Sequence, residues 1–348
     1  MTGKMKVAVM TGIRKMGYEE REIPTPKDNE VLVKIEYVGI CGSDMHYYET
    51  GAIGNYIVEP PFVLGHEPGG TVVEVGAAVK NLKPGDRVAL EPGTTCGECE
   101  FCRSGRYNLC PDVVFYATPP VDGVFQEYAV HEAALCHKLP PELDTMEGAL
   151  IEPLAIGFHA ANRGEAHIGQ SAVVFGSGCI GLVSMLALKA EGVSPIIVVD
   201  VMDNRLEKAK ELGADYVING MKEDAVTRIL EITGGIGVDL AIETAGTEIT
   251  TNQAIHAVKK GSNIVLVGYS RTGKINMEMS LALDKELTFR TIFRSRHLFD
   301  TAIEAVRSGK VNLKGIVTNV FDFNDIQNAM DMSCEKKAEI VKAVVKIG

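Results

Sequence analysis

From Ser171 to Leu188 the chain runs for eighteen residues without a charge, a length that on hydropathy alone would suit a membrane-spanning helix. Gly176, Gly178 and Gly181 interrupt the run, and it divides at them. Residues 172–175 read as a short buried strand, and 180–191 read as a helix with Leu182, Met185, Leu186 and Leu188 along it. Strand, glycine turn and helix account for the missing charges, so the expectation is an α/β protein with no membrane span.

The same rhythm continues on both sides of this unit. Strands are predicted at 196–199, 216–218, 240–243 and 264–267, with helices at 203–212, 223–232 and 248–259, the first of these stopped by Gly213. Strands that alternate with helices pair in parallel and give a doubly wound sheet. Residues 1–154 have another texture, with short alternating runs such as Val31-Leu32-Val33-Lys34-Ile35 and Thr71-Val72-Val73-Glu74-Val75. Turn signals such as Lys83-Pro84-Gly85-Asp86 separate them, which predicts a mainly antiparallel β domain with its functional residues on loops. The tail, with helices near 299–308 and 324–332 and a closing strand at 340–347, is expected to return to the first domain. The predicted division is therefore 1–154 with 296–348, and 155–295. At 348 residues, 46% apolar and 23% charged, the chain has the length and composition of a two-domain globular protein.

Gly176-Ser177-Gly178-Cys179-Ile180-Gly181 is G-x-G-x-x-G, placed between the predicted strand and helix. The first glycine permits the tight turn, the second lets backbone approach a pyrophosphate, and the third lets helix and strand pack closely. Unpaired N–H groups at the helix start suit phosphate. Asp200 ends the next strand, nineteen residues after Gly181. A carboxylate there accepts hydrogen bonds from ribose hydroxyls and repels a 2′-phosphate, which favours NAD over NADP. Arg205 is read as lying over the adenine or as a surface charge.

Four of the eight cysteines, Cys96, Cys99, Cys102 and Cys110, fall within fifteen residues. In a reducing compartment so tight a cluster points to a metal, and four thiolates make a closed tetrahedral zinc site that fixes a lobe. An iron–sulfur cluster or a nucleic-acid-binding zinc module are the rivals at this level. A second, dispersed set is Cys41, His66, Glu67 and Glu152. Mixed sulfur, nitrogen and oxygen donors suit a catalytic zinc with an exchangeable position, although a buried cysteine and a loop histidine also fit plain packing.

Gly39-Ile40-Cys41-Gly42-Ser43-Asp44, Gly65-His66-Glu67, the four-cysteine lobe and the glycine fingerprint, in this order and spacing, resemble the zinc-dependent medium-chain dehydrogenase/reductases over essentially the whole chain. The stretches His46-Tyr47-Tyr48, Gly105-Arg106-Tyr107-Asn108-Leu109, Ala117-Thr118-Pro119-Pro120-Val121-Asp122-Gly123, Gly148-Ala149-Leu150-Ile151-Glu152-Pro153-Leu154 and Phe293-Arg294 look most like the polyol (sorbitol/xylitol) dehydrogenases. The resemblance implies a Rossmann cofactor domain and a GroES-like catalytic domain bearing a structural zinc lobe. It implies catalytic zinc on Cys41 and His66, with Glu67 as ligand or close neighbour and Glu152 holding the zinc water. Ser43 and His46 match the proton-relay positions, and Tyr47, Phe115, Thr118, Glu152 and Arg294 the polyol pocket. Gly176, Gly178, Ile180, Gly181, Asp200, Arg205, Val267, Phe293 and Arg294 match the NAD site. There are two departures. All four lobe cysteines are present, as in many microbial members and unlike the animal sorbitol dehydrogenases. Ser295-Arg296-His297 follows Phe293-Arg294, where the subgroup often has a tyrosine.

The expected reaction is oxidation of a polyol's secondary hydroxyl to the ketose, with sorbitol, xylitol or galactitol first among substrates. Threonine and 2,3-butanediol dehydrogenases share the apparatus, and a non-catalytic zinc and nucleotide scaffold is the rival from another class. With 35 basic against 46 acidic residues the net charge is −11, which argues against nucleic acid as a partner. The N-terminus lacks the apolar core of a signal peptide, so the expectation is a cytoplasmic enzyme, with a homo-oligomer (tetramer or dimer) implied by the family.

Overall fold

A computed structural model describes residues 2–270 and 272–348. The chain forms two compact units, one of residues 1–152, 299–307 and 317–348, the other of 153–298 and 308–316. The tail is thus divided, where sequence reading kept it whole. Val311, Leu313 and Ile316 are buried, and the turn Lys314–Ile316 packs on the helix Cys179–Ala190, so burial of apolar side chains draws this stretch into the second unit.

The first unit is built on a seven-stranded sheet whose centre is the strand Glu30–Gly39. Glu67–Val75 pairs with it antiparallel in a register that sets Gly39 opposite Glu67. The closing strand Ala343–Lys346 also pairs with it antiparallel, setting Gly39 opposite Val344. Three strand ends therefore meet beside Cys41, which follows Gly39 and caps the helix Gly42–Thr50. Gly39 is needed there, because a Cβ would collide with the Glu67 carboxylate. The core beneath is aliphatic and aromatic, with Val33, Ile35, Tyr48, Leu64 and Phe125 fully buried.

The second unit is a six-stranded parallel sheet in the order Tyr216–Asn219, Ile196–Asp200, Ala172–Phe175, Val238–Glu243, Val258–Leu266, Thr288–Thr291. Numbered along the chain this is 3-2-1-4-5-6, with the order reversing beside Ala172–Phe175, and ligands of such sheets bind at that reversal. Its central strands Ala172–Phe175 and Ile196–Asp200 are continuous apolar runs up to Asp200, as burial on both faces requires. The long helix Thr145–Arg163, with Pro153 inside it, contains the boundary between the two units.

Candidate active site

In the four-cysteine lobe, Cys110 Sγ lies 3.6 Å and Cys102 Sγ 3.9 Å from Cys96 Sγ, far beyond bonding distance. A tetrahedral centre with bonds of about 2.3 Å separates its sulfurs by about 3.8 Å, so these thiols fit zinc in both number and spacing. The lobe organises itself through its own peptide groups: the Cys99 N–H donates to Cys96 Sγ and the Cys102 N–H to Cys99 Sγ. The N–H groups of Glu98 and Cys99 hold the Cys96 thiol down to about 7, which favours the thiolate that a metal needs.

Cys41, His66 and Glu67 present ligand atoms that all lie within 4.8 Å of one another. Sulfur, nitrogen and a carboxylate oxygen brought together in this way fit a zinc that keeps an open position. Asp44, fully buried, organises the set. Its carboxylate accepts from the Cys41 N–H at 3.0 Å and the Gly65 N–H at 2.9 Å, and lies 3.5 Å from His66 Nδ1. With Nδ1 facing Asp44, Nε2 is the nitrogen left for a metal. Burial pulls the imidazole down, but Asp44 and Cys41 outweigh burial and hold His66 well above its ordinary value. Asp44 is held low in turn, because His66 and the two N–H donors overcome its burial.

Glu152 stands outside that ligand cluster. It is buried on the helix Thr145–Arg163. Burial pushes its carboxyl up to about 7; His66 and Lys342 pull it down, while Glu67 repels it upward. Phe115 sits beside His66, ring centroids 5.8 Å apart. Ser43, His46 and Tyr47 lie on one helix at a spacing that shares a face: Ser43 half-buried, His46 exposed, Tyr47 buried. Thr118 accepts at its carbonyl from the Val121 N–H, in a turn where Ala117 takes a positive φ of 53°.

In the second unit two of the three fingerprint glycines, Gly176 and Gly181, are required by contact. A Cβ on Gly176 would press on Thr244 Oγ1, and one on Gly181 would collide with the Gly176 carbonyl. Asp200 accepts from the N–H groups of Ser177, Val201 and Met202 at 2.6–3.0 Å, so its charge is fixed beside the glycine turn. Arg205 is half-buried, and its carbonyl accepts from the Ser177 hydroxyl at 2.9 Å, which ties its backbone to the glycine turn. Ile180 and Val267 are half-buried at the ends of their elements, and the Arg294 guanidinium stacks 4.6 Å over the Phe293 ring. Arg294 and Phe293 belong to the second unit, Tyr47, Phe115 and Thr118 to the first.

Three contributors escape sequence reading. Asp44 lies inside a quoted motif but shows its role only through its partners. Thr244 donates its hydroxyl to the Phe175 carbonyl at 2.8 Å and the Gly176 carbonyl at 3.3 Å, clamping the glycine turn. Lys342, buried at the start of the closing strand, pairs with Glu67 and donates to the Ile40 carbonyl at 3.0 Å. None of the three has a local pattern that announces it.

Residues 27–141 match the alcohol dehydrogenase GroES-like domain and residues 179–308 the zinc-binding dehydrogenase domain. The chain belongs to the zinc-dependent medium-chain dehydrogenases. Within them it falls in the polyol dehydrogenase subgroup: it is 43% identical to the sorbitol dehydrogenase of Bacillus subtilis, over 98% of this chain and 97% of that enzyme. It is also 43% identical to the sorbitol dehydrogenase of Homo sapiens, over 93% and 91%. A crystal structure of an oxidoreductase/dehydrogenase of unknown specificity from Escherichia coli superposes with a TM-score of 0.95 at 42% identity, covering 99% of this chain and all of that one. No helix among the described residues is long and apolar enough to cross a membrane.

Proposed function

We propose that this protein oxidises a secondary hydroxyl of a polyol such as sorbitol, xylitol or galactitol to the ketose, the hydride passing to NAD and the hydroxyl proton to solvent. The observation that carries the reading is the gathering of Cys41, from the end of one strand, with His66 and Glu67, from the start of another, into one ligand set, in a chain this similar to sorbitol dehydrogenases. When bound, zinc supplies a Lewis acid for a substrate oxygen and the dinucleotide a hydride acceptor. Cys41 and His66 hold the metal, with Asp44 keeping both in place. Glu152, with its carboxyl poised near neutrality, hydrogen-bonds a water or a second substrate hydroxyl. Ser43 receives the substrate proton, and His46, exposed three residues on, releases it to water. Tyr47, Phe115, Thr118 and Arg294 are assigned to polyol recognition, and the polar ones among them, Tyr47, Thr118 and Arg294, discriminate against simple alcohols because they would be left unpaired.

Gly176, Gly178 and Gly181 cradle the pyrophosphate, Asp200 the ribose, and Ile180, Arg205, Val267 and Phe293 line the same dinucleotide. Asp200→Ala should narrow the preference for NAD over NADP about tenfold; an unchanged ratio would remove Asp200 from the ribose. We also infer a homo-oligomer in the cytoplasm. None of the eight cysteines is in a disulfide, which suits a reducing compartment, and Thr288–Thr291 ends its sheet with one edge unpaired by this chain.

The test is a zinc count on the purified protein joined to NADH formation from sorbitol, xylitol, galactitol, threonine and 2,3-butanediol. Two zincs per chain with fastest turnover of a polyol supports the reading. Preference for threonine or butanediol would move the enzyme to a sister activity, with Ser295-Arg296-His297 as the first place to look. Two zincs and NAD binding without turnover of any of the five would leave a scaffold.

A further inference from the structure

The geometry points to Lys342 as a positioning residue of the candidate metal centre, one whose ammonium competes with the metal for the Glu67 carboxylate. This rests on the reading that Cys41 and His66 hold zinc. The Lys342 side chain is 1% exposed, as is that of Glu67. Its Nζ donates both to Glu67 Oε2 and to the carbonyl of Ile40. Ile40 immediately precedes Cys41, and Glu67 immediately follows His66, so one ammonium touches both ligand-bearing segments. The strand registers set this arrangement, since Glu67 and Val344 both lie opposite Gly39. Gly39 has no side chain to intrude, and a Cβ there would stand 3.0 Å from Lys342 Cε.

A buried ion pair is costly to break on one side, because the remaining charge is left uncompensated. Glu67 is a candidate ligand as well as the partner of Lys342. With the ammonium in place, part of the Glu67 charge is already neutralised before a metal arrives. Without it, the carboxylate loses its counter-charge in the metal-free protein and turns wholly to the cation. Lys342 therefore trades metal affinity for stability of the metal-free fold, and it keeps Glu67 from quenching the electrophile that the substrate oxygen must meet.

The test is zinc release from the holoenzyme to a chelator, followed with a colorimetric zinc indicator, for wild type, Lys342→Met, Lys342→Arg, Glu67→Gln and the double variant Lys342→Met/Glu67→Gln. The release phase missing in Cys41→Ala identifies the centre. In Lys342→Met, zinc in that phase should be held about tenfold more tightly, and the gap in melting temperature between holo and metal-free protein should widen; Lys342→Arg should stay near wild type. In the Glu67→Gln background the Lys342→Met effect should vanish. If Lys342→Met fails to fold without metal, the comparison of the double variant with Glu67→Gln and of Lys342→Arg with wild type still decides. Equal loss of stability with and without zinc, weaker zinc binding, or an undiminished effect in the Glu67→Gln background would each overturn the proposal. If Cys41→Ala keeps every zinc, the metal reading itself falls, which is a separate failure.

Discussion

The four lobe cysteines come from a single loop of fifteen residues, three of them half-exposed, and they are arranged by the peptide groups between them. Cys41 comes from the end of one strand and the neighbours His66 and Glu67 from the start of another, and the surroundings that hold them are charged and buried: Asp44, Glu152 and Lys342. The two clusters lie in the same unit and both fit zinc, yet their supports differ. Four like donors saturate a tetrahedron and leave nothing to exchange, which suits a brace. Three unlike donors leave room, and the buried charges around them set how strongly the metal is held and how electrophilic it stays. One is an autonomous loop device. The other exists only once the sheet has formed.

The largest expected effect separates them by function. Cys41→Ala should lower kcat/KM for a polyol about a thousandfold or more and remove one zinc, while the fold is retained. Full turnover in this variant would end the distinction. Cys96→Ser should do the reverse. Structural zinc contributes about 10–16 kcal/mol of apparent binding in small peptides, so losing one thiolate should lower stability by about 5 kcal/mol, with turnover per folded molecule largely kept. Unchanged melting with full zinc content would show that the lobe is no brace.

Next in size is an effect of acid on His131, in the strand Tyr128–Glu132 of the seven-stranded sheet. His131 Nε2 donates to the Glu91 carbonyl, 2.7 Å away, and its ring lies tilted against Tyr116 with centroids 4.9 Å apart. Burial pushes its pKa down to about 4. A folded-state value below the ordinary 6.5 gives stability that is complete above 6.5 and lost as pH falls towards 4. Between pH 7 and pH 5 that loss is about 2 kcal/mol. His137 works the other way: burial lowers it, but Glu91 and Asp300 hold it above its ordinary value, so it gains stability on acidification. Denaturant unfolding of wild type and His131→Gln at both pH values isolates the His131 contribution. Parallel losses in the two proteins would show that the imidazole is not held neutral.

How much of this is legible in sequence follows the same divide. The lobe is legible because C-x2-C-x2-C spacing is itself the geometry. The parallel sheet is legible because strand, glycine turn and helix repeat within short windows. The helix Thr145–Arg163 is not, because Gly148, Pro153 and Gly157 all argue locally against a helix. In the fold those glycines let the helix press close, Gly148 against Leu139 and Gly157 against the backbone at Val183. Strand Thr288–Thr291 is hidden for a related reason, being a half-exposed edge with a weak apolar pattern. Asp44 and Lys342 are hardest of all. An aspartate in the first turn of a helix and a lysine before a strand normally face water, and only their partners from other segments, Gly65 and His66 for Asp44 and Glu67 for Lys342, make them inner groups.

The smallest effect tests whether the lobe is as self-contained as its spacing suggests. Tyr107, between Cys102 and Cys110, donates its hydroxyl to the buried Glu91 carboxylate at 2.7 Å, and Glu91 ends its strand beside His137, 3.3 Å away. This bond ties the lobe to the end of the strand Arg87–Leu90 in the seven-stranded sheet without touching a cysteine. A hydrogen bond to a charged group contributes about 1.5–3 kcal/mol, and His137 remains on Glu91 when it is lost, so Tyr107→Phe should cost about 1 kcal/mol of stability. The zinc count should be unchanged, because every ligand contact lies within residues 96–110. If Tyr107→Phe instead sheds zinc as Cys96→Ser does, the lobe depends on its docking to the sheet, and its difference from the buried centre becomes one of degree.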